Sequence, residues 1–300
     1  MPKTSSSLSR GSAPLWSAAT RKALVALIAL APLLIFIGIF FLAPIGAVVI
    51  DSFRNNDGDF SLVNFSDIFK EPIRTAMVTS LSLASVSALT AAIPGGILAY
   101  LIESRGSQKL RRIVASISGV LANTGGVPLA FMFIAAMGAE GSATGLLKLA
   151  GIDIYGSGFS LYSFWGLVVV YSYFQIPMMV IVFSPAVHGL RREWAEAAMT
   201  LGASKRQFWT RVGFPLLFPS FLSATLLLFA SAFSAYATAR AMTNGTIPLV
   251  PTMIGNLLDG NVIFDEVNLA KALAVSMVVV TLVAMVPYLI IQRKSERWQK

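Results

Sequence analysis

Six blocks of apolar residues, at about 22–50, 74–102, 113–137, 162–187, 214–239 and 268–292, dominate this 300-residue chain. Each is roughly 20 residues or longer, the length that crosses a bilayer core. A soluble domain could not hide them: 56% of the residues are hydrophobic and 12% charged, too few charges to cover a water-facing surface. In lipid the backbone must satisfy its own hydrogen bonds, which leaves helices or a closed barrel. Barrel strands alternate apolar and polar residues over short segments, and these blocks do not, so helices are expected. The predicted architecture is all-α and integral to the membrane. A six-helix bundle over 22–295 is flanked by tails at 1–21 and 296–300, with membrane lipid as its surroundings. The Ser- and Gly-rich first segment reads as a tail and not a cleaved leader, because the apolar run after Arg21 and Lys22 continues to Ile50, beyond the length of a signal core.

The basic residues set the expected orientation. Seventeen of the 23 lie in the N-terminal tail, the second and fourth loops and the C-terminal tail, among them Arg10, Arg111, Arg191, Lys205 and Arg293. The other side holds Arg54, Lys70, Arg74, Lys148, Arg240 and Lys271, with ten of the fourteen acidic residues. Positive charge collects in cytoplasmic loops, so both termini are expected in the cytoplasm. The net charge of +9 is thereby explained without nucleic acid. The chain has no cysteine, so disulfides, thiolate metal sites and thiol nucleophiles are excluded.

Several spans carry helix breakers: Pro94-Gly95-Gly96, Gly125-Gly126-Val127-Pro128 and Pro177. Proline removes an internal hydrogen bond and kinks a helix. Gly and Pro are also ordinary residues of close membrane-helix packing, so kinks that open a pathway and simple packing are both admissible.

The fourth loop, 188–215, carries the most local information. Trp194, Ala197, Ala198 and Leu201 recur at helical spacing, which predicts a short amphipathic helix. Gly202 is placed to end it in a left-handed cap. Ser204 and Gln207 make the S-x-x-Q pattern of a capping box, which predicts a second short helix. Pro215 suits the first turn of the fifth span. Two roles fit such a hairpin. It can lie on the membrane surface, anchored by Trp194, Phe208 and Trp209. Alternatively, it can insert a short helix into a groove on a cytoplasmic partner, with small Ala197, Ala198 and Gly202 allowing close approach.

Glu196-Ala197-Ala198, three residues, Gly202, nine residues, then Val212-Gly213-Phe214-Pro215 resembles the EAA loop of binding-protein-dependent ABC importer permeases. The family's ending is Ile-x-Leu-Pro-like; Val212 and Phe214 are mild apolar departures from it. The six-span organisation extends the resemblance over 22–295. It implies the type I importer fold in the bacterial inner membrane, with two permease subunits paired. On that resemblance Glu196, Ala197, Ala198, Leu201, Gly202, Ala203, Ser204 and Pro215 form the ATPase-coupling element, and an external solute-binding protein delivers the cargo. No G-x-x-x-x-G-K-[ST] phosphate loop occurs in the chain, so the resemblance places ATP and Mg on a separate ATPase subunit and makes this chain non-catalytic, with no cofactor of its own. Leu201 stands before Gly202 where carbohydrate permeases usually have Asp, which resembles the spermidine/putrescine-type branch. That branch also includes iron, sulfate, thiamine and phosphonate permeases, so a polyamine or another small polar solute is expected, with phosphonate, iron, sulfate or a sugar as alternatives.

Asn123, Gln175, Ser231, Ser234 and Tyr236 are polar residues within spans and are the candidate lining of a solute pathway; interhelical hydrogen bonding is the other account of them. Arg74, Arg240 and Lys271, at outer span ends, either snorkel to headgroups or meet an anionic solute. The lone His188 supports neither a metal site nor a catalytic dyad. No Asp or Glu falls at the centre of a span. A proton-coupled secondary transporter, the main rival from another class, normally needs such a carboxylate.

Overall fold

The computed structural model describes residues 18–55, 57–243, 245–259 and 267–296; most of the expected N-terminal tail and the last four residues lie outside it. The described residues form helices and no named strands. The chain divides into two compact units, 1–50 and 51–300.

In the first unit, α1 (Ala18–Ile37) begins inside the expected tail and continues through a π turn at Gly38–Leu42 into α2 (Ala43–Ser52), whose last two residues belong to the second unit. Its large side chains, such as Ile35, Phe40 and Leu42, are exposed, as suits a helix whose solvent is lipid.

The second unit continues with α3 (Val63–Asp67), α4 (Ile73–Arg105), α5 (Gln108–Asn123), α6 (Gly126–Met137), α7 (Ser142–Leu149) and α8 (Phe164–His188). Next come α9 (Arg192–Thr200), α10 (Lys205–Phe208), a π turn at Trp209–Gly213, α11 (Phe214–Phe233), α12 (Ala237–Thr243), α13 (Val250–Leu258) and α14 (Val267–Glu296). Among the described residues, six stretches are long and apolar enough to cross a membrane: Ala29–Ser52, Ile73–Ser104, Gly126–Leu149, Phe164–His188, Lys205–Phe233 and Val267–Pro287.

Two spans differ from the expectation. The block at 113–137 is not one helix. Gly126 takes φ +76° and Pro128 follows in the first turn of α6, so the chain stops at Asn123 and restarts at Gly126. Arg111 of α5 lies beside His188 at one end of α8, and Leu129 and Ala130 of α6 pack with Leu167 and Tyr171 at the other. The two pieces together therefore climb the length of α8. The block at 214–239 starts earlier and stops earlier. α10 and the π turn run into α11 without a break, so the expected second short helix is the opening of the span itself. The span ends at Phe233, and Ser234–Tyr236 lead into the separate α12.

α4, α8 and α11 form the centre. Thr90 meets Ser172 at 3.3 Å and Glu103 meets His188 at 3.2 Å, so α4 and α8 run parallel. Phe183 packs on Phe221 and Tyr171 donates to the Ala235 carbonyl, so α11 runs antiparallel to α8. The seam is built from small residues on α4: Ala84, Ala88, Ala91, Ala92 and Ala99 are all buried. Small side chains let helix backbones approach where lipid gives no hydrophobic drive to pack. Pro94 sits inside α4 without breaking it, and its two glycines are contact points. A Cβ on Gly95 would stand 2.7 Å from Met179 Cβ, and one on Gly96 would stand 3.0 Å from the Phe221 ring. This motif therefore serves packing in the observed structure.

Gly95→Ala is expected to destabilise the bundle by about 1–3 kcal/mol, because the collision is with a Cβ and a backbone carbonyl that cannot swing away. Gly145, with nothing within 4 Å of a Cβ, is the control. Thermal unfolding in detergent should show a lower midpoint for Gly95→Ala and none for Gly145→Ala.

Candidate functional site: the hairpin at the basic end

The hairpin between α8 and α11 folds as its local signals dictate. Ala203 N–H donates to Ala198 O and Gly202 N–H to Met199 O, both at 2.9 Å, which closes α9 in a Schellman motif. Gly202 occupies the left-handed region at φ +82°. Ser204 Oγ accepts from Gln207 N at 3.2 Å and Gln207 Oε1 accepts from Ser204 N at 2.7 Å, so both halves of the capping box are present. Pro215 stands in the first turn of α11.

The turn presents its residues outward. Glu196, Ala197, Leu201, Gly202 and Ser204 are exposed, and Ala198 and Ala203 are half-buried. Leu201 is 87% exposed, so the apolar face of α9 is not spent on its own chain. The three proposed membrane anchors do not act together. Trp194 is exposed, but Phe208 is 6% exposed and Trp209 turns inward onto Tyr100. Below the hairpin lies a cavity of about 1120 Å³, walled by α9 through Glu193 and Met199 and by the bundle through Glu103, Arg111 and His188.

The sequence did not suggest that last group. Glu103 Oε2 lies 3.3 Å from Arg111 Nη1 and 3.2 Å from His188 Nδ1, joining α4, α5 and α8. Glu103 and Arg111 are eight residues apart across the turn between α4 and α5, and helix packing brings His188, 85 residues beyond Glu103, to them.

The candidate pathway residues divide into two groups. Asn123 ends α5, and Ser234 and Tyr236 lie where α11 gives way to α12. These two helix breaks meet: Gly126 N–H donates to Thr238 Oγ1 at 3.0 Å, and Thr238 Oγ1 donates to Gly126 O at 3.2 Å. Asn123, Ser234 and Tyr236 are exposed there, with Ser231 half-buried one turn away. Asn123 Nδ2 and Ser234 Oγ donate to carbonyls of their own helices, Gly119 O and Ala230 O. Gln175 stands apart. It is fully buried, its Nε2 reaches Leu228 O at 3.5 Å, and its Oε1 has no partner among the described residues. Of the cations expected at outer span ends, Lys271 pairs with Asp51 at 2.8 Å, Arg240 donates to Asn256, and Arg74 is exposed.

Ser204→Ala and Gln207→Ala should each loosen the start of α10 by about 1 kcal/mol, the usual loss on removing a cap. Hydrogen–deuterium exchange is the measure: the amides of Ser204 and Gln207 should exchange faster in the variants, with no change at Gly126 in the far joint.

Comparison with known proteins bears on the family and the fold. The profile of the family described as "binding-protein-dependent transport system inner membrane component" matches residues 92–300, which include the whole hairpin. A "probable sulfate transport system permease protein" of Prototheca wickerhamii is 24% identical over 63% of this chain and 74% of its own length. The molybdenum transport system permease protein ModB of Mycobacterium tuberculosis is 27% identical over 59% of this chain and 66% of its own length. Among solved structures, a bacterial alginate ABC transporter in complex with an alginate pentasaccharide-bound periplasmic protein superposes with TM-score 0.72 and 21% identity, over 95% of this chain and 98% of the other. The MetNI methionine ABC transporter in an inward-facing conformation gives TM-score 0.54 and 16% identity, over 75% of this chain and 98% of the other. At these identities the two structures establish the fold, which is that of an ABC importer permease. With the family profile covering more than half of its length, this chain belongs to the binding-protein-dependent transport system inner membrane components, and is a multi-pass permease of the inner membrane.

Proposed function

We propose that this chain forms half of the translocation pathway of an ATP-driven importer, and that the hairpin centred on Gly202 docks a separate ATPase on the cytoplasmic face. The observation that carries this reading is the exposed, rigidly capped turn at the basic end, with Leu201 uncovered at its tip. Clustering of the basic residues at that end supports its placement in the cytoplasm, with both termini on the same side. The partners that follow are the ATPase subunits, which carry ATP and Mg, a second permease subunit and an extracytoplasmic solute-binding protein. A periplasmic protein is bound in the alginate transporter that this chain resembles in fold. The chain itself is non-catalytic on this reading.

For the cargo, a small oxyanion is the reading we favour. The relatives by sequence are named for sulfate and molybdenum, and Arg240 sits beside the joint where the pathway candidates gather. The polyamine expected from Leu201 would need carboxylates in the spans, and the span centres carry none.

The direct test is Gly202→Asp in the assembled transporter. A Cβ at Gly202 meets nothing within 4 Å among the described residues, so the strain of a side chain at φ +82° stays in the turn and the bundle itself should be undisturbed. The added charge would have to be desolvated at the contact. Uptake should be lost and the tagged permease should no longer co-purify with the ATPase, at unchanged membrane abundance. Retention of both would remove the docking role and leave a surface hairpin.

A further inference from the structure

The coupling helix α9 is carried by two arms. One runs from His188, the last residue of α8, to Arg191; the other is α10 with the π turn that opens α11. α9 packs against α10, and the cavity of about 1120 Å³ lies between it and the ends of α4 and α8. Displacement of α9 therefore reaches the spans through the arms and not across the gap.

Both arms end on the same face of α4. His188 of the first arm meets Glu103, Nδ1 to Oε2 at 3.2 Å. Trp209 of the second meets Tyr100 edge-on, with ring centroids 5.1 Å apart and planes at 85°. Tyr100 and Glu103 are three residues apart on a helix, one above the other. Each contact is backed from behind. Arg111 of α5 holds the Glu103 carboxylate at 3.3 Å, and that side chain is only 13% exposed. A Cβ on Gly213 would stand 2.6 Å from the Trp209 ring, so the ring lies directly on the backbone of its own helix. α4 in turn packs along both α8 and α11 through its small-residue seam.

We propose that Tyr100 and Glu103 form a seat that binds the two arms of the coupling loop to α4, so that loop and central spans move as one body and the seat determines how much of the loop's displacement reaches the pathway. The proposal rests on the reading of the hairpin as the ATPase dock. On this reading Tyr100 and Glu103 are positioning residues, which act through Trp209 and His188. A merely structural cluster would lower abundance or assembly, whereas a seat sets the ratio of solute moved to ATP hydrolysed.

This chain has no cysteine, so each introduced pair supplies its only thiols. In the full transporter, Tyr100→Cys is combined with Trp209→Cys, and separately Glu103→Cys with His188→Cys. With free thiols, ATP hydrolysis and ATPase co-purification should persist while uptake falls roughly tenfold, a typical coupling factor. Bridging each pair with a short bifunctional thiol reagent should bring uptake back to within about twofold of the unaltered transporter, because a covalent tie replaces the seat. Tyr100→Phe, which keeps the ring contact, should retain coupling, and Tyr100→Ala should not. If a cysteine pair fails to assemble, Glu103→Gln and Tyr100→Ala give the same ratio of uptake to hydrolysis. Unchanged ratios in these variants would overturn the proposal. So would a bridge that stops transport, since it would show that the seat must open. Failure of the unaltered chain to bind the ATPase would instead overturn the docking reading, which separates the two.

Discussion

A backbone amide or carbonyl that leaves a helix inside a bilayer finds no water to bond. That constraint governs where this chain can depart from regular helix, and three departures in the second unit are each met by a side chain from another element. The joint between α5 and α6 is closed by Thr238, which both accepts from and donates to Gly126. The end of α11 is met by Tyr171 of α8, whose hydroxyl donates to Ala235 O at 3.1 Å. The start of α13 is met by Ser80 of α4, which accepts from Val250 N at 2.9 Å. Losing one such buried partner typically costs about 1–3 kcal/mol, so these three bonds hold the irregular end of the bundle in one arrangement. It is also the end at which exposed polar candidates for the pathway gather, where discontinuous helices can offer backbone groups to a solute.

The basic end is built on the opposite plan. Its irregular segment, the hairpin, satisfies its turn through its own Schellman motif and capping box. It can therefore stand off the bundle, above a cavity, and still be rigid. A rigid element on two arms suits a part that is pushed from outside. The tight seam of α4 with α8 and α11 suits a body that moves without deforming, because close-packed interiors shift between discrete arrangements more readily than they bend.

The parts of this fold legible in the sequence are those written by local chemistry. Gly202, the Ser204–Gln207 pair and Pro215 each have a short-range physical meaning, and the structure reproduces all three. The membrane blocks were legible because span length is imposed by the bilayer. Less legible were the breaks. Gly125, Gly126 and Pro128 marked a disturbance, but whether it kinked or split the span depended on Thr238, which is 112 residues away. Nothing local marks the stop at Ser234, a stretch with neither Gly nor Pro; it depends on a tyrosine 64 residues earlier. The Glu103–Arg111–His188 cluster was hidden for the same reason: His188, at the end of α8, becomes a neighbour of Glu103 and Arg111 only once the helices pack. Pro94-Gly95-Gly96 shows the converse, a conspicuous local signal whose role, close contact with Met179 and Phe221, is tertiary.

The central claim is that movement of solute through this bundle is driven from the hairpin by ATP and not by an ion gradient acting within the spans. The direct measurement is solute uptake by proteoliposomes holding the complete transporter with its binding protein, with ATP and an imposed proton gradient varied independently. Uptake should require ATP on the hairpin side and be indifferent to the gradient. Uptake that follows the proton gradient in the absence of ATP would contradict the account.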